Sequence, residues 1–307
     1  MQTLQHARCE LAFRVEGAGP PVLFIQGVGL HGDGWLPQVE CLKGRYACLS
    51  FDNRGMAGSQ PLGKSRLTVE LMAEDALALA NAQGWQDFHV VGHSMGGHIA
   101  TALTLGSPER VRSLALMCTS ARGKDMPPMS PGLLWTSMRS RLGSRRQRRH
   151  AFLEMVLPGA TRRKEDLDDW ARRMARVFGH DLADTPSVLM KQVGAYRAYD
   201  ASTRLNELGR VPTLVVSADE DPLAPPPLGH RLADGIPGAR YHEIAGAAHG
   251  VTVTHTDDVN ALLADHFAKA DLNGGSAGLE GPSSANEIAQ NRAEERRKYE
   301  GRRRQTL

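Results

Sequence analysis

The apolar positions of this chain fall into two alternating rhythms. Short, nearly continuous apolar runs, PVLFIQG, YACLSFD, FHVVGHS, VRSLALMC and PTLVVSAD, have the length and β-branched content of strands buried on both faces. CELAFRV alternates apolar with polar positions and reads as a strand at an exposed sheet edge, and ARYHEI is a further strand candidate. Between them lie LTVELMAEDALALANAQG, MGGHIATALTLGSP and DVNALLADHFAKA, whose apolar residues recur at helical spacing. Strand and helix alternating in this way predict an α/β fold, a mostly parallel central sheet with helices on both faces.

The rhythm breaks between about Arg122 and Leu208, where there are no strand candidates, several prolines come early, and segments such as SVLMKQVGAYRAY have helical spacing. This predicts an inserted helical cap, and with it an organisation of 1–121 as the first part of the core, 122–208 as the cap, 209–270 as the second part of the core and 271–307 as a tail. The tail opens on a Gly/Ser-rich linker, DLNGGSAGLEGPSSANE, and continues as IAQNRAEERRKYEGRRRQTL, which is charged on every face. With almost nothing apolar to bury, it is expected to be disordered or a lone exposed helix.

Composition changes this picture little. A chain of 307 residues with 41% hydrophobic content can fill a sizeable core, and a net charge of +3 from 37 basic and 34 acidic residues gives no reason to expect a nucleic-acid partner for it. Two local runs stand apart. RSRLGSRRQRRHAF, Arg139 to Phe152, holds six arginines and reads either as a solvated helix face or as a site for an acidic surface or anionic substrate group. The basic tail leaves its partner, whether RNA, acidic lipid or protein, open. The N-terminus has no apolar stretch of signal-peptide length and no stretch of roughly 18 apolar residues runs without a charge, so a soluble cytoplasmic protein with no transmembrane segment is expected. Cys9, Cys41, Cys48 and Cys118 form no CxxC pair and are expected to be free thiols, and with no metal cluster or dinucleotide fingerprint in sight no cofactor and no metal are expected.

The chemistry begins at VVGHSMGGHIA, Val90 to Ala100, where a serine stands between glycines at a strand-to-helix join. Glycine costs roughly 1 kcal/mol inside either element. A nucleophile on so sharp a turn leaves no room for side chains beside it, and Gly92 and Gly96 are the residues that permit it. A serine hydroxyl is a poor nucleophile unless a base takes its proton, and histidine does so best when an acid fixes its tautomer. Downstream, VVSADEDPLAP places Asp219 and Asp221 just beyond a strand, and AGAAHG places His249 in a loop of small residues before the last helix. His93, His98, His230, His242 and His255 lie within or beside other elements and read as structural.

Together LFIQGVGLHGDGW, SFDNRGMAGSQP, VVGHSMGGH, VVSADEDPLAP and GAAHG, in this order, resemble the α/β-hydrolase fold superfamily, in its serine-hydrolase branch with a cap inserted after the sixth strand. The resemblance covers about Cys9 to Ala270. It implies Ser94 as nucleophile, His249 as general base and then acid, and Asp221, rather than its rival Asp219, as the residue orienting the imidazole. It also implies an oxyanion hole made by the backbone N–H groups of Val28 and Met95, with Gly27 and Gly29 allowing close approach. The chain departs from the commoner pattern at Gln26, where a histidine usually precedes the glycine. The implied activity is hydrolysis of a carboxylic ester, lactone or thioester of a small to medium, mainly apolar molecule through an acyl-enzyme. The alternatives are a C–C bond hydrolase acting on a vinylogous diketone, a cofactor-free perhydrolase, or, outside enzymes, a hydrolase-like ligand-binding protein. Trp135, Met138, Phe152, Met155, Trp170, Met174, Phe178, Met190, Tyr196 and Tyr199 are the candidates for an apolar pocket lining, or for the cap's own core.

Overall fold

In the computed structural model, which describes residues 1–61, 66–125 and 142–275, the apolar runs are strands of one eight-stranded sheet. They are β1 (Gln2–His6), β2 (Cys9–Glu16), β3 (Pro21–Ile25), β4 (Ala47–Phe51), β5 (Phe88–His93), β6 (Val111–Met117), β7 (Thr213–Ala218) and β8 (Arg240–Ile244). Their order in space is β1-β2-β4-β3-β5-β6-β7-β8. From β4 to β8 neighbours run parallel, whereas β2 is antiparallel to both β1 and β4. The chain leaves β3 toward one side to make β4 and returns to the other side with β5. In an open parallel sheet the strand ends at such a reversal form a crevice.

Period-two alternation explains why the central strands are apolar throughout. Along β3, Val22 and Phe24 enter the core on one face while Leu23 and Ile25 enter the other. The first face is covered by α1 (Leu36–Leu42), α9 (Val251–Thr254) and α10 (Thr256–Gly275), through residues such as Val39, Leu42, Val251, Leu263 and Phe267. The second is covered by α2 (Val69–Ala82), α3 (Met95–Gly106) and α8 (Pro226–Gly235) through Met72, Leu79, Ile99 and Leu232.

Two features differ from the sequence expectation. QTLQH, with its half-exposed and polar positions, carries too weak an alternation to be read as a strand, yet it pairs with β2 as β1. Consequently β2 is not an edge strand, and Leu11 and Phe13 are buried. The hairpin turns through Ala7 and Arg8, both at positive φ (43° and 63°), without the glycine or asparagine that usually marks such a turn. The buried Arg54 supports it by donating to Ala7 O (3.0 Å) while its guanidinium pairs with the buried Asp75 of α2. The second difference is that α10 continues past Ala270, through Asp271 and Leu272, and ends only at the Gly274–Gly275 pair. By compactness the chain divides into Met1–Ala270 and Asp271–Leu307, and the latter is described as far as Gly275.

The described part of the insertion is helical: α4 (Arg145–Val156), α5 (Gly159–Lys164), α6 (Leu167–Phe178) and α7 (Leu189–Ala198). It has a small core of its own that includes Leu153, Met174, Phe178 and Leu182. Three arginines of the basic stretch are engaged inside the cap: Arg145 with Asp181 and Asp184 (2.7 and 2.9 Å), Arg146 with Asp168 (2.9 Å), and Arg149 with Asp181. The hydrogen bond from Arg149 in particular holds the Asp181 carboxyl well below the usual carboxylate range. These partly exposed pairs stabilise little individually, but they tie α4 to α6 and to the segment after it. Arg139 and Arg141, like Trp135 and Met138, lie outside the described residues. Among the described residues no helix is long and apolar enough to cross a membrane.

Candidate active site

β5 ends at His93 and α3 begins at Met95, so Ser94 alone makes the turn, with φ 56° and ψ −122°. A non-glycine residue in that region costs on the order of 1–3 kcal/mol and persists only where its surroundings impose it. Here Ser94 N–H donates to Met117 O (2.9 Å), and Ser94 O accepts from Gly97 N–H and from Thr119 Oγ1 (each 2.9 Å). A Cβ on Gly92 would lie 2.3 Å from Gly96 O, and one on Gly96 would lie 2.1 Å from Ile25 O. The two glycines of the motif are thus what lets the chain double back.

The loop after β7 carries Asp221 and the loop after β8 carries His249. The His249 Nδ1–H donates to Asp221 Oδ2 at 2.8 Å, and both side chains are buried. Asp221 Oδ1 accepts the N–H groups of Leu223 (2.8 Å) and Ala224 (2.9 Å). Burial pushes the Asp221 carboxyl up, but the neighbouring His249 and these hydrogen bonds outweigh it and hold the group below its ordinary range. It is therefore an anion at neutral pH. Asp219 is exposed and accepts from Ala247 N–H (3.1 Å), so it braces the His249 loop without touching the imidazole.

His93 Nε2–H donates to His249 O (2.9 Å), fixing the loop from beneath. Burial, with the adjacent His249, drives the His93 imidazole down to about 3, so it is a neutral strut. The Cys118 thiol sits against Asp221, and burial raises it well above its usual range. His93, Cys118 and His249 bring ligand-type atoms within 4.8 Å of one another. In the geometry just described His249 Nδ1 and His93 Nε2 are committed to hydrogen bonds, whereas, among the described residues, His93 Nδ1 and His249 Nε2 are not. Ser94 and His249 line the same cavity. Among the described residues neither the Ser94 hydroxyl nor His249 Nε2 has a hydrogen-bond partner.

The loop after β3 crosses the Ser94 turn, with Gly27 so close that a Cβ there would lie 3.2 Å from Ser94 Cβ. Side chains take the N–H groups on either side of Val28: Gly27 N–H donates to Gln26 Oε1 and Gly29 N–H to Gln192 Oε1, each at 2.8 Å. Val28 N–H has no partner among the described residues. The same holds for Met95 N–H at the first position of α3, where a helix leaves its amides unpaired. Gln26, standing where a histidine is commoner, is buried, and its backbone O is gripped by Asn53 Nδ2 (2.9 Å), so it supports the loop from within.

Above these groups is a cavity of about 270 Å³. Of the cap residues proposed as lining, Phe152, Met155, Phe178 and Tyr196 face it, whereas Met174 belongs to the cap core, Met190 is exposed and Tyr199 packs in the main core. Residues 20–256 match the family model described as the alpha/beta hydrolase fold. The chain belongs to this family. Similar members of the α/β hydrolase family differ in the reactions they are named for. RutD of Azorhizobium caulinodans, provisionally named a carbamate hydrolase, is 31% identical over 83% of this chain and 93% of its own. BpoC of Mycobacterium tuberculosis, provisionally named a non-haem bromoperoxidase, is 30% identical over 84% of this chain and 97% of its own. Among solved structures, the enol-lactonase of Burkholderia xenovorans LB400 superposes with a TM-score of 0.70 at 25% identity, covering 87% of this chain and all of that one.

Within this α/β hydrolase, the sequence reading passed over Gln192 and His180. Gln192 shares the buried stripe of α7 with Ala195, in line with the buried Val188 just before the helix, and a polar residue at such a position is a signal that it has a partner inside. His180 sits between two carbonyl oxygens, with Nδ1 2.9 Å from Asp181 O and Nε2 3.0 Å from Gly29 O, so the cap meets both polar groups of Gly29. No spacing in the sequence reveals that contact.

Proposed function

We propose that this α/β hydrolase is a serine enzyme that cleaves a carboxylic ester, lactone or thioester of a small to medium, mainly apolar molecule. The supporting observation is the convergence on one cavity of a serine on a strained turn, an Asp221-bound His249, and the unpaired N–H groups of Val28 and Met95. In this reading His249 Nε2 takes the Ser94 proton as Oγ bonds to the substrate carbonyl carbon, and the Val28 and Met95 N–H groups receive the developing oxyanion. The tetrahedral species expels the alcohol, which leaves with the proton from His249, and an acyl-enzyme remains. Water then repeats the sequence in the same site and releases the acid. Asp221 holds the Nε2 lone pair toward Ser94 and stabilises the imidazolium.

The same steps apply to the carbonyl of a lactone or a carbamate, the groups for which two of the relatives are named. C–C cleavage of a vinylogous diketone and perhydrolysis use the same side chains, so a vinylogous diketone, and an acyl donor with hydrogen peroxide, are assayed beside the esters. The test is labelling by a fluorophosphonate probe together with turnover of short-chain nitrophenyl esters. Ser94→Ala is expected to abolish both while the far-UV spectrum and thermal midpoint stay near wild type. Undiminished turnover in that variant would move the nucleophile elsewhere, and no labelling of the wild type would favour a ligand-binding protein.

A further inference from the structure

The turn of the cap between α4 and α5 is bonded to the chain neighbours of both Asp221 and His249. Glu220, one residue before the acid, accepts the Gly159 N–H on Oε2 at 2.6 Å. Gly250, one residue after the histidine, donates its N–H to Val156 O at 2.9 Å. The two catalytic loops are also stitched to each other, because Glu220 N–H donates to Ala247 O (2.8 Å) and Ala247 N–H to Asp219 Oδ1 (3.1 Å). Val156, Leu157, Pro158 and Gly159 are all buried, and a Cβ on Gly250 would lie 2.8 Å from Val156 O, so the turn lies directly against the histidine loop. A buried backbone N–H needs an acceptor, and among the described residues the acceptor for Gly159 N–H is this one side chain. The bond from Gly250 joins backbone to backbone, whereas the bond to Glu220 depends on the residue at that position. Phe152, Met155 and Val156, which lead into the turn, line the cavity.

We infer that Glu220 is a positioning residue for the Asp221–His249 pair, its side chain pinning the α4–α5 turn of the cap to the loops that carry both residues. With the pin in place the turn is held from two sides, and the histidine loop is fixed between Val156 O above and His93 Nε2 below. Without it the turn keeps the Gly250 bond but loses its hold on the Asp221 loop, and His249 is carried on a loop anchored to a freer partner. Reacting groups tolerate little displacement, since a shift of about 1 Å can cost on the order of a hundredfold in rate. Glu220 acts through Asp221 and His249 and is not among the residues lining the cavity. This inference rests on the serine-hydrolase reading and adds a residue to it.

The experiment measures kcat and KM for 4-nitrophenyl butanoate in Glu220→Ala, Glu220→Gln, Gly159→Pro and the double variant Glu220→Ala/Gly159→Pro, each well below its thermal midpoint. Gly159 opens α5 and follows Pro158 at ψ 149°, a setting that suits proline, so Gly159→Pro removes the donor while the exposed Glu220 is free to turn away from the new ring. Glu220→Ala is expected to lower kcat about fivefold or more with KM changed by less than about twofold. Glu220→Gln, whose amide oxygen can still accept from Gly159 N–H, is expected to keep most of the wild-type kcat. Gly159→Pro is expected to match Glu220→Ala, and the double variant to be no worse than either, because both remove the same bond. An unchanged kcat in Glu220→Ala, a Glu220→Gln as poor as Glu220→Ala, or losses that multiply in the double variant overturns the inference. A second readout needs no turnover. In low-field proton spectra recorded in the Ser94→Ala background, the His249 Nδ1–H resonance is expected to broaden and exchange faster in Glu220→Ala and to be restored in Glu220→Gln. A resonance that Glu220→Ala leaves unaltered also overturns it. Ser94→Ala that by itself still turns over the ester would instead defeat the serine-hydrolase reading and leave the proton result standing.

Discussion

Two carboxylates two residues apart after β7 have different surroundings, and their substitution separates them. Asp221 is buried, accepts three hydrogen bonds and holds the imidazole proton on Nδ1, whereas Asp219 is exposed and, among the described residues, accepts only from Ala247 N–H. Asp221→Asn presents an amide to His249, favours the wrong tautomer, and is expected to lower kcat by about 10⁴. Asp219→Asn is expected to cost less than about tenfold, and steady-state kinetics on one nitrophenyl ester checks both. At this scale the sequence was informative where chemistry restricts residue type: a serine between obligatory glycines, an acid before a proline turn, a histidine among small residues. It was uninformative about His98, whose buried Nδ1 lacks a hydrogen-bond partner among the described residues and whose tautomer depends on Ser120 and Arg122 O.

Among the elements, the strands and the helices around them were legible because burial on two faces or on one imposes a period. β1 was not, since a short, half-exposed strand needs no such pattern; what holds it is its pairing with β2 and the Arg54–Asp75 pair beneath its turn. The contact between α7 and the loop after β3 was equally hidden, 163 residues apart in the chain. Gly29 has φ +71°, and its N–H and O are both held by the cap, through Gln192 and His180. Gln192→Leu preserves the bulk on the buried stripe but frees the Gly29 N–H. Small displacements of a donor from an oxyanion are costly, so kcat is expected to fall about tenfold or more with KM changed less. Stopped-flow measurement of the acylation step checks that the loss lies there.

For the molecule as a whole, buried neutral imidazoles set the response to acid. Burial holds His93 at about 3 and His98 and His266 at about 4, against 6.5 for a free histidine. Between pH 6.5 and about 4 the unfolded chain binds protons at these positions and the folded chain does not. Stability is therefore fully present above pH 6.5 and is lost as pH falls through that window, by up to about 1.4 kcal/mol per pH unit for each histidine. The depressed carboxylates Asp168, Asp181 and Asp221 act only lower, below about pH 4, and Asp52, whose carboxyl burial raises, opposes the trend in part. Urea denaturation at pH 7, 6 and 5 is expected to show this decline. His266→Gln keeps a donor for Leu114 O and does not titrate, so its decline is expected to be shallower by about one proton. The grip of the cap on Gly29 has a further consequence. Because Gln192 and His180 hold Gly29 from the cap, the backbone beside Val28 is anchored by residues inserted more than a hundred positions later, and a substitution in α7 reaches that amide without touching Ser94, Asp221 or His249.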